Sequence, residues 1–309
     1  MKANSYRNLD QKEDFVILSR FGLGTAQFGL CYGKFNRDGV PSNQKVNQIL
    51  ELGSKLGFSC LDTAHLYGKS EEVLGSCLDN LNLFSIITKT PRFPDDRILH
   101  CDATTLRKAF YSSLNVMHQR SIDGLLIHHA PNLLINGGRL LYEEMVRLKD
   151  KGLVRRIGVS AYTGDIVEEI HRKYPLDFVQ LPINIFDRQL TRNGGLSRIA
   201  DLGIKIHARS AFLQGLLLAE PGSLPIYFEP VKNILKDFHV RSQLAGINPA
   251  HAALHYLLRF SEIEKIIVGV ESLEQLEGIF KNFPLNIEMD FDGLLTDRID
   301  ILNPVLWTN

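Results

Sequence analysis

Two hydrophobic rhythms alternate along the chain. Short runs that are apolar at nearly every position, as buried parallel strands are, occur at residues 21–26, 58–62, 85–89, 122–128, 156–160, 178–181, 205–209 and 266–269. Between them lie amphipathic stretches with helical spacing. Val46, Ile49, Leu50 and Leu56 share one face after Ser42, a capping residue, and Gly57 stops the run. Val73, Leu74, Cys77 and Leu78 do the same over 70–81, and Leu106, Phe110, Leu114 and Met117 over 104–118. Further helices are predicted over 140–151, 165–173, 196–202, 231–245, 249–260 and 272–281, with Pro249 in a first turn and Ser272 as an N-cap. Residues 27–41 and 210–230 read as irregular loops, and 1–14 as an N-terminal arm.

Strand followed by helix, repeated through the chain, predicts an α/β fold with a parallel sheet. Eight such units in about 250 residues favour a closed (β/α)8 TIM barrel, a single domain over 15–309. An open doubly wound sheet is the runner-up. Gly22-Leu23-Gly24 lacks the third glycine of a dinucleotide fingerprint, which counts against it.

Composition narrows the function classes. The formal net charge is zero, so no global basic field draws the chain to nucleic acid or an anionic membrane. Cys31, Cys60, Cys77 and Cys101 lack the close pairing of a zinc site and read as reduced thiols. No apolar run approaches the ~20 residues of a membrane span. The polar N-terminus has no apolar core, so a cytoplasmic protein is expected, as a monomer or homodimer.

Candidate chemistry sits at the predicted strand ends. These are Gly24-Thr25, Asp62, Lys89, His128, Ser160, Gln180, Arg209 and Gly269, more polar than strand interiors should be. In a barrel, such ends converge on one face. If Asp62, Tyr67, Lys89 and His128 meet there, the lysine ammonium favours the phenolate form of a neighbouring tyrosine, and the aspartate holds the ammonium. The phenol can then exchange a proton with a developing alkoxide, while the imidazole orients a carbonyl. No serine or cysteine nucleophile has an obvious base, and no carboxylate cluster suits a metal. The set fits carbonyl reduction by a bound hydride donor.

These residues stand within phrases that resemble the aldo-keto reductases. The phrases are Phe21-Gly22-Leu23-Gly24-Thr25-Ala26, Leu61-Asp62-Thr63-Ala64-His65-Leu66-Tyr67-Gly68, Thr88-Lys89, Leu126-Ile127-His128, Ile157-Gly158-Val159-Ser160, Val179-Gln180 and Ile267-Val268-Gly269, in family order over nearly the whole chain. The resemblance implies Tyr67 as general acid, Asp62 and Lys89 as its tuning groups, and His128 orienting a small-molecule carbonyl or sugar substrate. It implies NADPH or NADH lying across the barrel mouth, near Gly24, Thr25 and Asp62. Ser160 and Gln180 would meet the nicotinamide carboxamide. Ser210 and the loop holding Phe212, Gln214 and Gly215 would lie near the pyrophosphate. Gly269, Glu271, Ser272 and Gln275 would surround the adenosine end.

The chain also departs from the family pattern. Ala161 replaces an asparagine that often follows the serine, and Ile279 one often near the adenine. Arg209 stands where many members stack a tyrosine on the nicotinamide, and a guanidinium plane can stack too. Glu271 stands where NADPH-preferring members have Lys or Arg, and a carboxylate repels a 2′-phosphate. The opening phrase Leu23-Gly24-Thr25-Ala26-Gln27-Phe28-Gly29 with Tyr32-Gly33 resembles a bacterial subgroup linked to carbohydrate biosynthesis. Strand alternation puts His128 and His129 on opposite sides, and the resemblance, through the family's Leu-Ile-His phrase, selects His128. His65 and His207 read as rim or packing groups, and Phe28 and Phe212 as pocket lining or packing. Two other classes stay open. One is a cofactor-binding, redox-sensing regulatory subunit. The other is a Schiff-base enzyme using Lys89, which requires Lys89 without Asp62 beside it.

Overall fold

The computed structural model describes residues 16–36, 39–77 and 82–307. The expected arm over 1–14 lies outside them, as does 78–81 at the end of the helix expected over 70–81. Eight parallel strands close into a barrel in sequence order. They are β1 (Phe21–Gly24), β2 (Cys60–Asp62), β3 (Ser85–Lys89), β4 (Ile122–Ile127), β5 (Val154–Ser160), β6 (Phe178–Pro182), β7 (Lys205–Arg209) and β8 (Ile263–Gly269). The principal helices that follow them are α1 (Asn43–Lys55), α2 (Ser70–Gly75), α3 (His100–Val116), α4 (Arg139–Asp150), α5 (Gly164–Lys173), α6 (Gly195–Asp201), α7 (Lys232–Leu244), α8 (Pro249–Leu258) and α9 (Leu273–Phe280). Among the described residues no helix is long and apolar enough to cross a membrane.

The period of two along each strand sorts residues into two cores. Leu23, Leu61, Leu125, Val159, Val179, Ile206 and Val268 point outward and pack with the helices. The opposite parity points into the barrel, where Cys60, Ile87, Leu126, Phe178 and Ile267 form a separate cluster. Phe178 fills most of that space, and Gly124 makes room for it: a Cβ there would meet the ring at 2.7 Å. Two residues further along the inward parity lie Asp62, Lys89, His128, Gln180 and Gly269. The pleat that builds the inner core therefore also aims the polar strand ends into the barrel mouth.

Two strands start earlier than the hydrophobic pattern suggests, β5 at Val154 and β8 at Ile263. Their first residues carry charges, and each charge finds a partner elsewhere at the base of the barrel. Arg155 and Arg156 bind Asp123 at 2.5 and 2.6 Å, Arg156 also binds Glu264 at 2.7 Å, and Lys265 donates to Ser59 Oγ at 2.6 Å. Helix α3 starts at His100 rather than residue 104, because the Asp102 carboxylate accepts the Leu99 backbone N–H at 2.8 Å and closes the first turn. The predicted loop over 27–41 also begins with a helical turn, Ala26–Gly29.

This ion network closes the barrel floor and makes a stability prediction. His207 is fully buried, and burial holds its pKa below the ordinary imidazole value. It stays neutral and donates from Nε2 to Glu264 at 2.8 Å, since a carboxylate can only accept. Burial alone would raise the Glu264 pKa, but the bonds from His207 and Arg156 outweigh it and bring it down to about 2. A depressed carboxylate stabilises the fold above its unfolded pKa, and that contribution is lost as pH falls from the unfolded value near 4.5 through about 2. The contribution at neutral pH is about 3 kcal/mol at most. Glu264→Gln should lower the urea midpoint at pH 7, and the gap to wild type should close as pH approaches 2. A gap that stays constant with pH would contradict this assignment.

Candidate active site

The C-terminal end of the barrel opens into a cavity of about 790 Å³. Each group at its base is placed by the strand it ends. Asp62 closes β2 and Lys89 closes β3, both inward and buried, with Lys89 Nζ 2.6 Å from Asp62 Oδ2. The ammonium donates a second bond to the Thr63 carbonyl at 2.9 Å. Burial alone would lower the Lys89 pKa. The charges of Asp62 and Tyr67, and the hydrogen bonds to both, raise it above its ordinary value. The side chain is therefore an ammonium at working pH. A Schiff-base role needs a free amine, so the adjacent carboxylate speaks against that alternative.

Tyr67 reaches this pair from the loop after β2. Its ring centroid lies 4.9 Å from Lys89 Nζ and 6.0 Å from the His128 ring, edge to face. Close backbone packing fixes the loop: a Cβ on Gly29 would stand 2.0 Å from the Tyr67 carbonyl oxygen, so this contact admits only glycine. The buried Ser70 hydroxyl bonds both the carbonyl and the hydroxyl of Thr25 at 2.8 Å and lies 3.2 Å from the Thr63 hydroxyl. Glu71 accepts from Thr88 and Ser113 at 2.6 and 2.8 Å. These clamps tie the start of α2 to the ends of β1, β2 and β3.

His128 follows β4 and lines the cavity, with its backbone N–H on Thr90 Oγ1 at 3.2 Å. Burial, then the positive charges of Lys89 and Arg209, push its pKa down to about 3. The imidazole is neutral and polarises without carrying charge. His129 faces the other way, with Nε2 3.5 Å from Asp95. Asp62 also accepts from Gln180 Nε2 at 2.6 Å. A carboxylate accepts only, so this bond fixes the amide orientation and leaves Gln180 Oε1 buried without a partner. His128 Nδ1 and Arg209 Nε share that condition.

Most residues expected at the site meet in this one cavity. Asp62, Tyr67, His128, Gly24, Thr25, Ser160, Gln180, Arg209, Ser210, Phe212, Gln214, Gly215, Gly269, Glu271 and Gln275 all line it. Lys89 stands behind Asp62 and Tyr67 rather than on the wall. Ser272 does not line the cavity either; its hydroxyl caps α9 by accepting the Gln275 N–H at 3.2 Å. His65 is exposed and outside the wall, Phe28 is wholly buried packing, and His207 belongs to the barrel floor. The residues that sequence reasoning missed come from loops and from helices outside the strand ends: Tyr162, the 218–220 segment, 248–250 at the start of α8, and Gly278 within α9. Gln27 and Tyr32 stood in a noted phrase but were given no role. Gln214 Nε2 donates to the Tyr32 hydroxyl at 3.2 Å and bridges two loops at the wall.

The walls suit an extended dinucleotide. The nicotinamide end would meet Ser160 and the orphaned Gln180 Oε1, which lacks an N–H donor such as a carboxamide supplies. The loop after β7 runs through left-handed conformations at Ser210, Leu213, Gln214 and Gly215, the kind of backbone that turns successive N–H groups toward an anion.

A family model confirms the frame. The description "Aldo/keto reductase family" matches residues 20–291. The chain belongs to this family. It is an NAD(P)H-dependent oxidoreductase on a (β/α)8 barrel. Among curated relatives, the "Uncharacterized oxidoreductase YqkF" of Bacillus subtilis is 25% identical over 283 residues, 84% of this chain and 85% of that protein. The L-galactose dehydrogenase of Arabidopsis thaliana is 25% identical over 311 residues, 93% and 92% of the two chains. Among solved structures, the holo form of aldo-keto reductase AKR11C1 from Bacillus halodurans superposes with a TM-score of 0.68 at 20% identity, over 84% of this chain and 85% of that one. At that identity the likeness speaks for the fold alone.

Proposed function

We propose that this enzyme reduces an aldehyde, ketone or sugar carbonyl, or runs the reverse oxidation, with Tyr67 as the general acid and base. The convergence of Asp62, Lys89, Tyr67 and His128 at the base of one cavity carries this reading. Bound nicotinamide dinucleotide supplies or accepts the hydride. Neutral His128 hydrogen-bonds the substrate oxygen and holds it toward Tyr67. The Tyr67 hydroxyl passes its proton to the oxygen as negative charge develops there, and the Lys89 ammonium stabilises the phenolate left behind. Asp62 keeps Lys89 in place and, through Gln180, sets one wall of the nicotinamide pocket. Ser160 and Gln180 would hold the carboxamide. The loop from Ser210 to Gly215 would hold the pyrophosphate. Gly269, Glu271 and Gln275, with the N-terminus that Ser272 caps, would surround the adenosine.

At that adenosine end our reading favours NADH. Glu271 and Glu220 both line the cavity, and Glu271 accepts from Gln275 Nε2 at 3.2 Å. Carboxylates suit ribose hydroxyls and repel a 2′-phosphate. For the substrate, polyhydroxy carbonyl compounds are favoured. The L-galactose dehydrogenase above and the D-arabinose 1-dehydrogenase of Saccharomyces cerevisiae, 23% identical over 133 residues, carry sugar-dehydrogenase names. The free thiols of Cys31, Cys60, Cys77 and Cys101 accord with a reducing, cytoplasmic setting.

The test is a fluorescence titration with NADH and NADPH, followed by cofactor oxidation on addition of an aldehyde and sugar panel. NADH should bind more tightly than NADPH, and Glu271→Lys should shift the NADPH-to-NADH preference by about 10- to 100-fold. If neither dinucleotide binds by about 1 mM, the reductase reading fails. An unchanged preference in Glu271→Lys would remove Glu271 from cofactor choice.

A further inference from the structure

The cavity wall carries a cation that has no carboxylate partner among the described residues. Arg209 ends β7 with its head on the cavity wall beside Tyr162 and Tyr32. Its guanidinium carbon lies 4.8 Å from the centre of the Tyr162 ring, so that ring holds one face of the plane. Its edge is poorly satisfied. Nη1 donates to Ser210 Oγ at 3.3 Å and Nη2 to the Ala161 carbonyl at 3.5 Å, both long, and Nε is buried with no acceptor. Among the described residues no carboxylate stands within ion-pair distance of it. Asp187, whose carboxyl feels the charge of Arg209, lines a separate small pocket with Tyr162. A guanidinium brings five donors and always carries its charge, and leaving them unpaired in a half-closed cavity is costly.

The location matters as much as the vacancy. Arg209 Nη2 reaches the Ala161 carbonyl, next to Ser160, on the wall that Tyr67 and His128 share. Its charge adds to burial and to Lys89 in keeping His128 neutral, and also acts on Tyr32. It therefore stands at the reacting end of the cavity. Lys89 is already neutralised by Asp62. Among the described residues Arg209 is the cation left there without a carboxylate partner.

We propose that the edge of Arg209 receives an oxyanion on the substrate, so that the enzyme selects carbonyl compounds bearing a carboxylate or phosphate group over their neutral counterparts. The proposal rests on the reductase reading above and names the substrate class for that site. It is compatible with nicotinamide stacking on the free face of the guanidinium, because stacking uses the plane and anion binding uses the edge. A sugar acid or a sugar phosphate satisfies both the charge and the hydroxyl-rich chemistry of the named relatives. The same guanidinium could instead serve a phosphate of the dinucleotide, and the experiment separates the two.

Rates are measured for matched pairs: D-glucuronate against D-glucose, and D-glyceraldehyde 3-phosphate against D-glyceraldehyde. In wild type the kcat/KM ratio of anionic to neutral partner should exceed unity by about 10- to 100-fold for at least one pair. In Arg209→Gln that ratio should collapse toward one, and Arg209→Lys should restore part of it. The pair that shows the preference tells carboxylate from phosphate. The proposal is overturned if the ratio is near unity in wild type, or is unchanged in Arg209→Gln. It is also overturned if Arg209→Gln raises only the dinucleotide Kd and leaves the anionic-to-neutral ratio intact, which would give Arg209 to the cofactor alone. If no pair is turned over, calorimetry on the dinucleotide-loaded protein decides separately. Binding of D-glucuronate or D-glyceraldehyde 3-phosphate that Arg209→Gln abolishes would uphold the oxyanion site while the reductase reading fails. Absence of such binding would sink the site.

Discussion

Tyr67→Phe is expected to lower kcat by about a thousandfold while leaving the dinucleotide Kd nearly unchanged. The phenyl ring can keep the edge-to-face packing on His128 and the contact with the Lys89 ammonium, so the fold and the cavity survive. What is lost is the proton donor that stands beside the buried Lys89 ammonium. The developing alkoxide then has neutral His128 for a hydrogen bond but no acid to finish the transfer. His128 cannot take over, because its pKa of about 3 keeps it unprotonated at neutral pH. For the same reason its charge should contribute no inflection to kcat/KM between about pH 5 and 8, the window where an unperturbed histidine titrates. Single-turnover cofactor oxidation with wild type and Tyr67→Phe tests the claim. Retention of more than about a tenth of the wild-type rate would show that another group supplies the proton.

Lys89→Met should be the most damaging single change to stability, at about 3–5 kcal/mol, and should abolish turnover as well. Both partners of the Lys89–Asp62 pair are almost fully buried, at 1% and 5% side-chain exposure, so removing one leaves the other as an unpaired charge without water. Gln180 would still donate to Asp62, but a neutral amide does not replace an ammonium. The diagnostic is a double variant. Asp62→Asn in the Lys89→Met background removes the stranded charge and should recover much of the stability, with no recovery of activity. Urea unfolding of the wild type, the single and the double variant reads this directly. If Lys89→Met is no less stable than the double variant, the buried ion pair is not what the site is built on.

Much of this was legible in the chain because strand parity is a local code. Polar residues at Asp62, Lys89 and His128, each two steps beyond an inward apolar residue, can only face the barrel mouth once the barrel closes. Gln180 follows the same rule although β6 runs on to Pro182. The pattern placed the starts of β5 and β8 too late, because Arg155, Glu264 and Lys265 look like loop until their partners elsewhere in the barrel are known. It also missed Tyr162 and the start of α8 at 248–250, since neither a loop's composition nor a helix's periodicity fixes which wall its end covers.

The sequence by itself determined the repeat, the parity and hence which side chains end on one rim. It also carried the order of motifs that belongs to the family. Only the tertiary structure decided how those groups are coupled. Barrel closure sets Asp62 against both Lys89 and Gln180, whose strands lie far apart in the chain, and so fixes the charge of the lysine and the orientation of the amide. Among the described residues the same closure leaves Arg209 without a carboxylate. Charge and hydrogen-bond state depend on what lies within a few ångströms in space, and spacing along a chain does not encode that distance.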